Sequence, residues 1–266
     1  MSGPTAFAFT AAMAVLTWLT LYALRGGLRG PRGTTIVGMD PQSLALGGLA
    51  VVVAGWFWGP LFGAALIVAV VIHEFGHVAA HRVMGHADAG FRLVPGMGGV
   101  TISDRPPAAP APDFFIVLLG PAISVAPMGL AYALAALTWD MSEGVSDFLY
   151  VLGIVMAVLN LFNLMPFWPL DGGRLLRILA YRVHPELARQ LTFAMSAALG
   201  VWGLMSMSVL LVVFALMGAT SAMQADGLAR KQRALDWRQW GWALAAYLAT
   251  FVAHLAGAWG FVGGWF

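Results

Sequence analysis

His73-Glu74-Phe75-Gly76-His77 is an HExxH pattern, and its spacing suits a zinc site carried on a single helix. Residues four apart lie on one helical face, so the two imidazoles can share a metal ion while Glu74 reaches a water on that ion as general base. The pattern supplies two ligands. A catalytic zinc takes a third protein ligand and keeps one position open. The chain has no cysteine, which excludes thiolate sites, disulfides and thiol nucleophiles, so the third ligand must be another histidine or a carboxylate.

The elements that position this pattern must be membrane helices. Of 266 residues 60% are apolar and only 10% charged, with a mean hydropathy of +0.82, which soluble domains do not match. Apolar runs long enough to cross about 30 Å of hydrocarbon recur along the chain. They are read at Ala6–Leu24, Leu44–Trp58, Leu61–Val83, Phe114–Trp139 and Phe148–Met165, each bounded by Gly, Pro or charge. The first has no basic residue before it and three arginines after it, so it reads as a retained helix and not a secretory signal. The HExxH pattern sits near the end of the third. A buried glutamate there costs about 2.5 kcal/mol or more and marks a polar, functional cavity; a polar cluster joining helices is the plainer alternative.

The pI of 9.3 does not point to nucleic acid. All 14 basic residues fall in four clusters, Arg25–Arg32, Arg82–Arg105, Arg174–Arg189 and Arg230–Arg238, whereas the loop with Asp140, Glu143 and Asp147 has none. Basic clusters on the cytoplasmic side require an even number of crossings between the third and the fourth. Two short helices, Ala188–Trp202 and Met205–Met223, meet that requirement, and Trp240–Phe266 then crosses once more. A single tilted helix through 187–223 is the alternative. The expectation is an all-α polytopic bundle of about eight spans (six to eight) forming one integral membrane domain over 1–266. Between Ala89 and Ser103 a weak alternation around Pro-Gly-Met-Gly-Gly predicts a short β-hairpin, followed by a proline-rich link.

For the third ligand, Asp140, Glu143 and Asp147 fall on the expected outer side, and Glu186 and Asp226 in charged, exposed contexts. Asp171, in Asn163-Leu-Met-Pro-Phe-Trp-Pro-Leu-Asp171-Gly-Gly-Arg, lies where the fifth span reaches the face at which the HExxH helix ends. It is the preferred ligand, the alternative being a cap on a helix that starts at Gly172. His81 is a poor candidate, because it lies about 12 Å along the axis from His73. His86 and His184 are placed in cytoplasmic loops, and His254 in the last span, where a packing role is favoured. The 14 methionines show no His-Met or Met-x-x-Met clustering that would suggest copper.

HEFGH in one span, Gly120-Pro121-Ala122 in the next and NLMPFWPLDGG afterwards resemble the site-2 protease family of intramembrane zinc metalloproteases. The resemblance covers Leu61–Arg182, and the 187–223 hairpin resembles a helix pair of some branches; the first two spans and the last, with the basic loop of 224–266, are unassigned. It implies one Zn2+ held by His73, His77 and Asp171, with Glu74 as the base. It further implies that Asn163 and Pro169 lie near the substrate backbone, and that the hairpin around Pro95–Gly99, with Gly98 and Gly99, stands beside the active site. The expected partners are a membrane-anchored protein substrate, the lipid bilayer and a regulatory membrane protein. No PDZ or CBS module is recognised. The expected location is a bacterial inner membrane, with the N-terminus outside and the site near the cytoplasmic face. Two rivals remain: a catalytically silent scaffold, against which the intact Glu74 argues, and a divalent-metal transporter, which would spread ionisable residues along several spans.

Overall fold

The structure, a computed structural model, describes residues 3–28, 48–49, 52–53, 55–94, 98–102, 107, 109–229 and 234–262. Helices dominate: α1 (Gly3–Ala23), α2 (Arg25–Leu28), α3 (Pro60–Val83), α4 (Pro110–Ile123), α5 (Val125–Thr138), α6 (Glu143–Asn163), α7 (Asp171–Val183), α8 (Pro185–Met205), α9 (Val209–Ala229) and α10 (Trp237–Val262). Strands β1 (Gly90–Val94) and β2 (Gly98–Ile102) pair antiparallel, with Val94 opposite Gly98 and Leu93 opposite Gly99.

Among the described residues five segments are long and apolar enough to cross a membrane: Pro4–Ala23, Pro60–Val83, Pro110–Thr138, Glu143–Asn163 and Trp237–Trp259. The chain is an integral membrane protein. The expected second span, Leu44–Trp58, lies partly outside the described residues, which include 48–49, 52–53 and 55–58 of it. The α8 and α9 segments do not reach the length and apolarity of a span. Glu186, Arg189 and Gln190 open α8, and only Leu211–Thr220 of α9 forms a shorter apolar stretch.

Described by itself, the first compact unit comprises Met1–Pro106, Leu119–Leu161 and Val252–Phe266. Its core is built from small and flexible residues: Ala65 and Ala69 of α3, Met128 and Ala131 of α5, Leu152, Val155, Met156 and Ala157 of α6, and Ala258 of α10. Lipid tails are as apolar as these side chains, so burial alone does not hold membrane helices together; close approach of backbones does. Gly76 of α3 illustrates it, since a Cβ there would stand 2.3 Å from the Leu119 carbonyl oxygen of α4. The α3 helix starts at Pro60, where a missing N–H costs nothing, after Gly59 at φ 95°. Both strands pack against α3. The expected Phe114–Trp139 span is one crossing made of two helices, with Pro121 in the last turn of α4 and buried Ser124 at the break before α5.

The second unit comprises Pro107–Leu118 and Phe162–Phe251. Here α8 and α9 fold back on each other through Ser206–Ser208, with Met207 at φ 53°. Gly203 stands against Val212, Gly200 against Ala215 and Ser196 against Gly218, an antiparallel order. Leu199, Phe214 and Ala215 form its apolar centre, with Phe167 and Leu170 against them.

Candidate metal centre

His73, Glu74 and His77 all lie in the buried last third of α3. The two imidazoles meet edge to face, ring centroids 4.8 Å apart, with their Nε2 atoms 3.2 Å from each other. Two nitrogens bound to one tetrahedral zinc at about 2.0–2.1 Å stand roughly 3.3–3.4 Å apart, so the spacing fits a shared ion.

The orientation of His73 is set by Asn160 of α6, a residue the sequence reading did not single out. Asn160 is fully buried. Its Nδ2 donates to the Met156 carbonyl at 2.7 Å, which turns Oδ1 towards His73 Nδ1, also at 2.7 Å. A carboxamide oxygen can only accept, so Nδ1 of His73 carries the proton and Nε2 is left with a lone pair facing His77. A metal-ligating histidine is characteristically held in this way through its other ring nitrogen. The available signal was a carboxamide inside an apolar span, where an unpartnered amide is costly.

His77 is given room by Gly120 of α4. A Cβ at that position would stand 2.2 Å from His77 Nε2 and 2.3 Å from Cε1. The Gly-Pro-Ala segment therefore has a steric reason: glycine lets the imidazole lie against the helix backbone, and Pro121 begins the break that ends α4. His81 is buried in the same helix but its ring lies edge-on to His86, centroids 5.3 Å apart. Gly98 and Gly99 pair with Val94 and Leu93 in the hairpin that packs on α3, while Pro95 lies outside the described residues.

In the second unit Asp171 is the first residue of α7, and Leu170, which precedes it, offers no side-chain cap. The expected alternative, Asp171 as the cap of a helix beginning at Gly172, does not describe this terminus. A carboxylate in a first helical turn is favoured by the positive end of the helix dipole. Gly172 and Gly173 let that turn sit on the preceding loop: Cβ atoms there would stand 2.1 Å from the Leu164 carbonyl oxygen and 2.4 Å from the Phe167 carbonyl carbon. Asn163 ends α6 and is half-buried, and Pro169 follows Trp168 through a cis bond. Farther along α7, Arg174 pairs with Asp113 and Arg177 lies over the Trp168 ring at 4.7 Å. Burial, and then the neighbouring Arg174, hold the Arg177 guanidinium below its ordinary pKa, with Asp113 acting in the opposite sense.

The model of peptidase family M50 matches residues 138–207, the stretch that carries Asn163, Pro169 and Asp171. Zinc metalloprotease MJ0392 of Methanocaldococcus jannaschii is 29% identical over 174 residues, 64% of this chain and 50% of that one. The chain is similar to members of peptidase family M50, the site-2 protease family. Putative zinc metalloprotease Rip3 of Mycobacterium tuberculosis is 32% identical over 136 residues, 50% of this chain and 34% of Rip3. The chain thus spans half or less of the length of these curated relatives. The solved site-2 protease from Methanocaldococcus jannaschii is 24% identical, with a TM-score of 0.48, covering 73% of this chain and 90% of that one.

Proposed function

We propose that this chain is an M50-type, zinc-dependent endopeptidase that cuts membrane-anchored proteins near the cytoplasmic face of a bacterial inner membrane, as in regulated intramembrane proteolysis. The observation that carries the reading is the His73–His77 pair, its Nε2 atoms 3.2 Å apart and one ring oriented by Asn160, directly beside Glu74 in a buried membrane helix. The proposed ligands are His73, His77 and Asp171, two imidazoles and one carboxylate, which is the donor combination of hydrolytic zinc proteases.

Zinc bound there supplies a Lewis acid for the scissile carbonyl and lowers the pKa of water towards about 7. Glu74 takes the proton of the attacking water and returns it to the leaving amine. Asn163 and Pro169 contact the substrate backbone, and the β2 edge at Gly98 and Gly99 receives it as an added strand. An extended peptide exposes the carbonyl that a helix keeps hydrogen-bonded, so strand addition prepares the bond for attack. The reading includes a single catalytic domain of about eight crossings with the N-terminus outside, 187–223 contributing two of them, and a regulatory membrane partner that selects or releases substrate.

The test begins with elemental mass spectrometry of the detergent-purified chain. About one zinc per wild-type chain is expected, with loss or weakening in His73→Ala and in Asp171→Ala. Single-span reporter proteins in liposomes should then be cut by the wild type, whereas Glu74→Gln should keep its zinc and lose at least 100-fold in rate, the scale of general-base catalysis. A zinc-free wild type removes the metal site. Zinc binding with equal reporter decay in wild type and Glu74→Gln makes the chain a silent scaffold.

A further inference from the structure

One face of α10 has a regular composition. Trp240, Tyr247 and His254 follow each other at seven-residue intervals, with Ala243 and Thr250 between them and Gly257 after the last. Seven residues are nearly two helical turns, so all six lie on one stripe. Ala243, Tyr247, Thr250 and His254 are buried, whereas Trp242, Leu248, Val252 and Trp259 on other faces are exposed.

Each large residue of the stripe donates to a backbone carbonyl of a different segment. Trp240 Nε1 donates to the Leu179 oxygen of α7 at 2.9 Å. Tyr247 Oη donates to the Leu164 oxygen, just past the end of α6, at 2.8 Å. His254 Nε2 lies 2.9 Å from the Pro121 oxygen, in the last turn of α4. Leu164 and Pro121 lie at helix ends, where the regular ladder of backbone bonds stops and a bilayer provides no water; the Pro121 oxygen also accepts from Ser124 N at 3.2 Å, so His254 adds a second donor to it. A carbonyl only accepts, so Nε2 of His254 carries the proton.

Both helix-end carbonyls adjoin a proposed ligand. Pro121 follows Gly120, the residue against which the His77 imidazole lies, and the Leu164 oxygen is the atom on which Gly172 rests, next to Asp171. We infer that α10 is a positioning helix for the metal ligands. His254, through Pro121 and Gly120, sets where His77 presents Nε2, and Tyr247, through Leu164 and Gly172, sets the first turn of α7. This rests on the zinc reading above and extends it to a helix outside the region of family resemblance. His254 and Tyr247 are positioning residues and touch neither metal nor substrate.

The test uses the full chain in detergent, with zinc affinity from chelator competition and the visible spectrum of the cobalt-loaded protein, which reports coordination geometry. Gln places its amide nitrogen where imidazole Nε2 stands, whereas Asn reproduces the position of Nδ1 and falls short of Pro121. His254→Gln is therefore expected to stay near wild type, and His254→Asn and Tyr247→Phe to bind zinc about tenfold or more weaker with an altered cobalt spectrum, as supporting-shell changes do. Equal affinity and equal spectra for the Gln and Asn variants and for Tyr247→Phe would leave α10 with a packing role only and overturn the inference while the zinc reading stands. A wild type that binds neither metal overturns both. A lowered unfolding temperature with an unchanged cobalt spectrum also counts against positioning.

Discussion

Helices α3 and α10 are both apolar spans with buried polar side chains, but they hold them in opposite ways. In α3, His73, Glu74 and His77 fall within little more than one turn, and the two rings face each other. In α10, Trp240, Tyr247 and His254 are spread over about 21 Å of axis, and each is bonded to the backbone of a separate segment. Dispersed donors each reach a backbone carbonyl of another segment, which stabilises the bundle without any bound group. Two imidazoles turned towards each other, their Nε2 atoms 3.2 Å apart, stand at a spacing that also suits a shared ion. Polar residues in a membrane helix can thus complete the fold, as on α10, or stand close enough together to hold a ligand, as proposed for α3, and the density of their placement distinguishes the two.

The sharpest way to break that contrast is to remove the space His77 occupies. A methyl at position 120 would overlap His77 Nε2, so in Gly120→Ala the ring must rotate or α4 must withdraw. We expect zinc affinity, measured by chelator competition, to fall by about 100-fold, at the upper end of effects seen when a ligand's support is changed. Wild-type affinity in this variant would show that His77 is held elsewhere and would weaken its place in the ligand set. A smaller loss is expected for Asn160→Leu, which fills a similar volume but leaves His73 Nδ1 without its acceptor. Both tautomers then become accessible, and zinc binding should weaken about 10-fold. If affinity is unchanged, the Asn160 contact is structural and the orientation of His73 has another origin.

The same contrast governs how much could be read without coordinates. His73, Glu74 and His77 are legible because the α-helical repeat alone brings positions four apart onto one face, and Asp171 stands out among few carboxylates on the expected side. Asn160 was not singled out, and the partner of His254 was not foreseen, for a different reason. Their partners, His73 and Pro121, are 87 and 133 residues away in the chain, and no local spacing encodes such a meeting. The stripe on α10 is periodic in the sequence, yet Trp, Tyr and His at sevens also describe an interfacial or packing face. Only the carbonyls opposite them distinguish the cases. The α8–α9 turn was reached by charge counting, which constrains how often the chain crosses and says little about whether a partly polar helix such as α8 qualifies as a span.

A hydrogen bond made to α10, instead of by its polar stripe, provides the smallest and most discriminating effect. Tyr132 of α5 donates to the Gly257 carbonyl at 2.8 Å, and its ring lies against Gly153 of α6, where a Cβ would approach to 2.8 Å. Neither neighbour adjoins a proposed ligand. Tyr132→Phe should therefore cost only about 0.6 kcal/mol, the average for a hydrogen bond between membrane helices, visible as a slightly lower unfolding temperature in detergent. Zinc affinity and the cobalt spectrum should match wild type. Were Tyr132→Phe to disturb the metal as much as Tyr247→Phe, any loosening of α10 would reach the site, and the special standing of the His254 and Tyr247 carbonyl contacts would be lost.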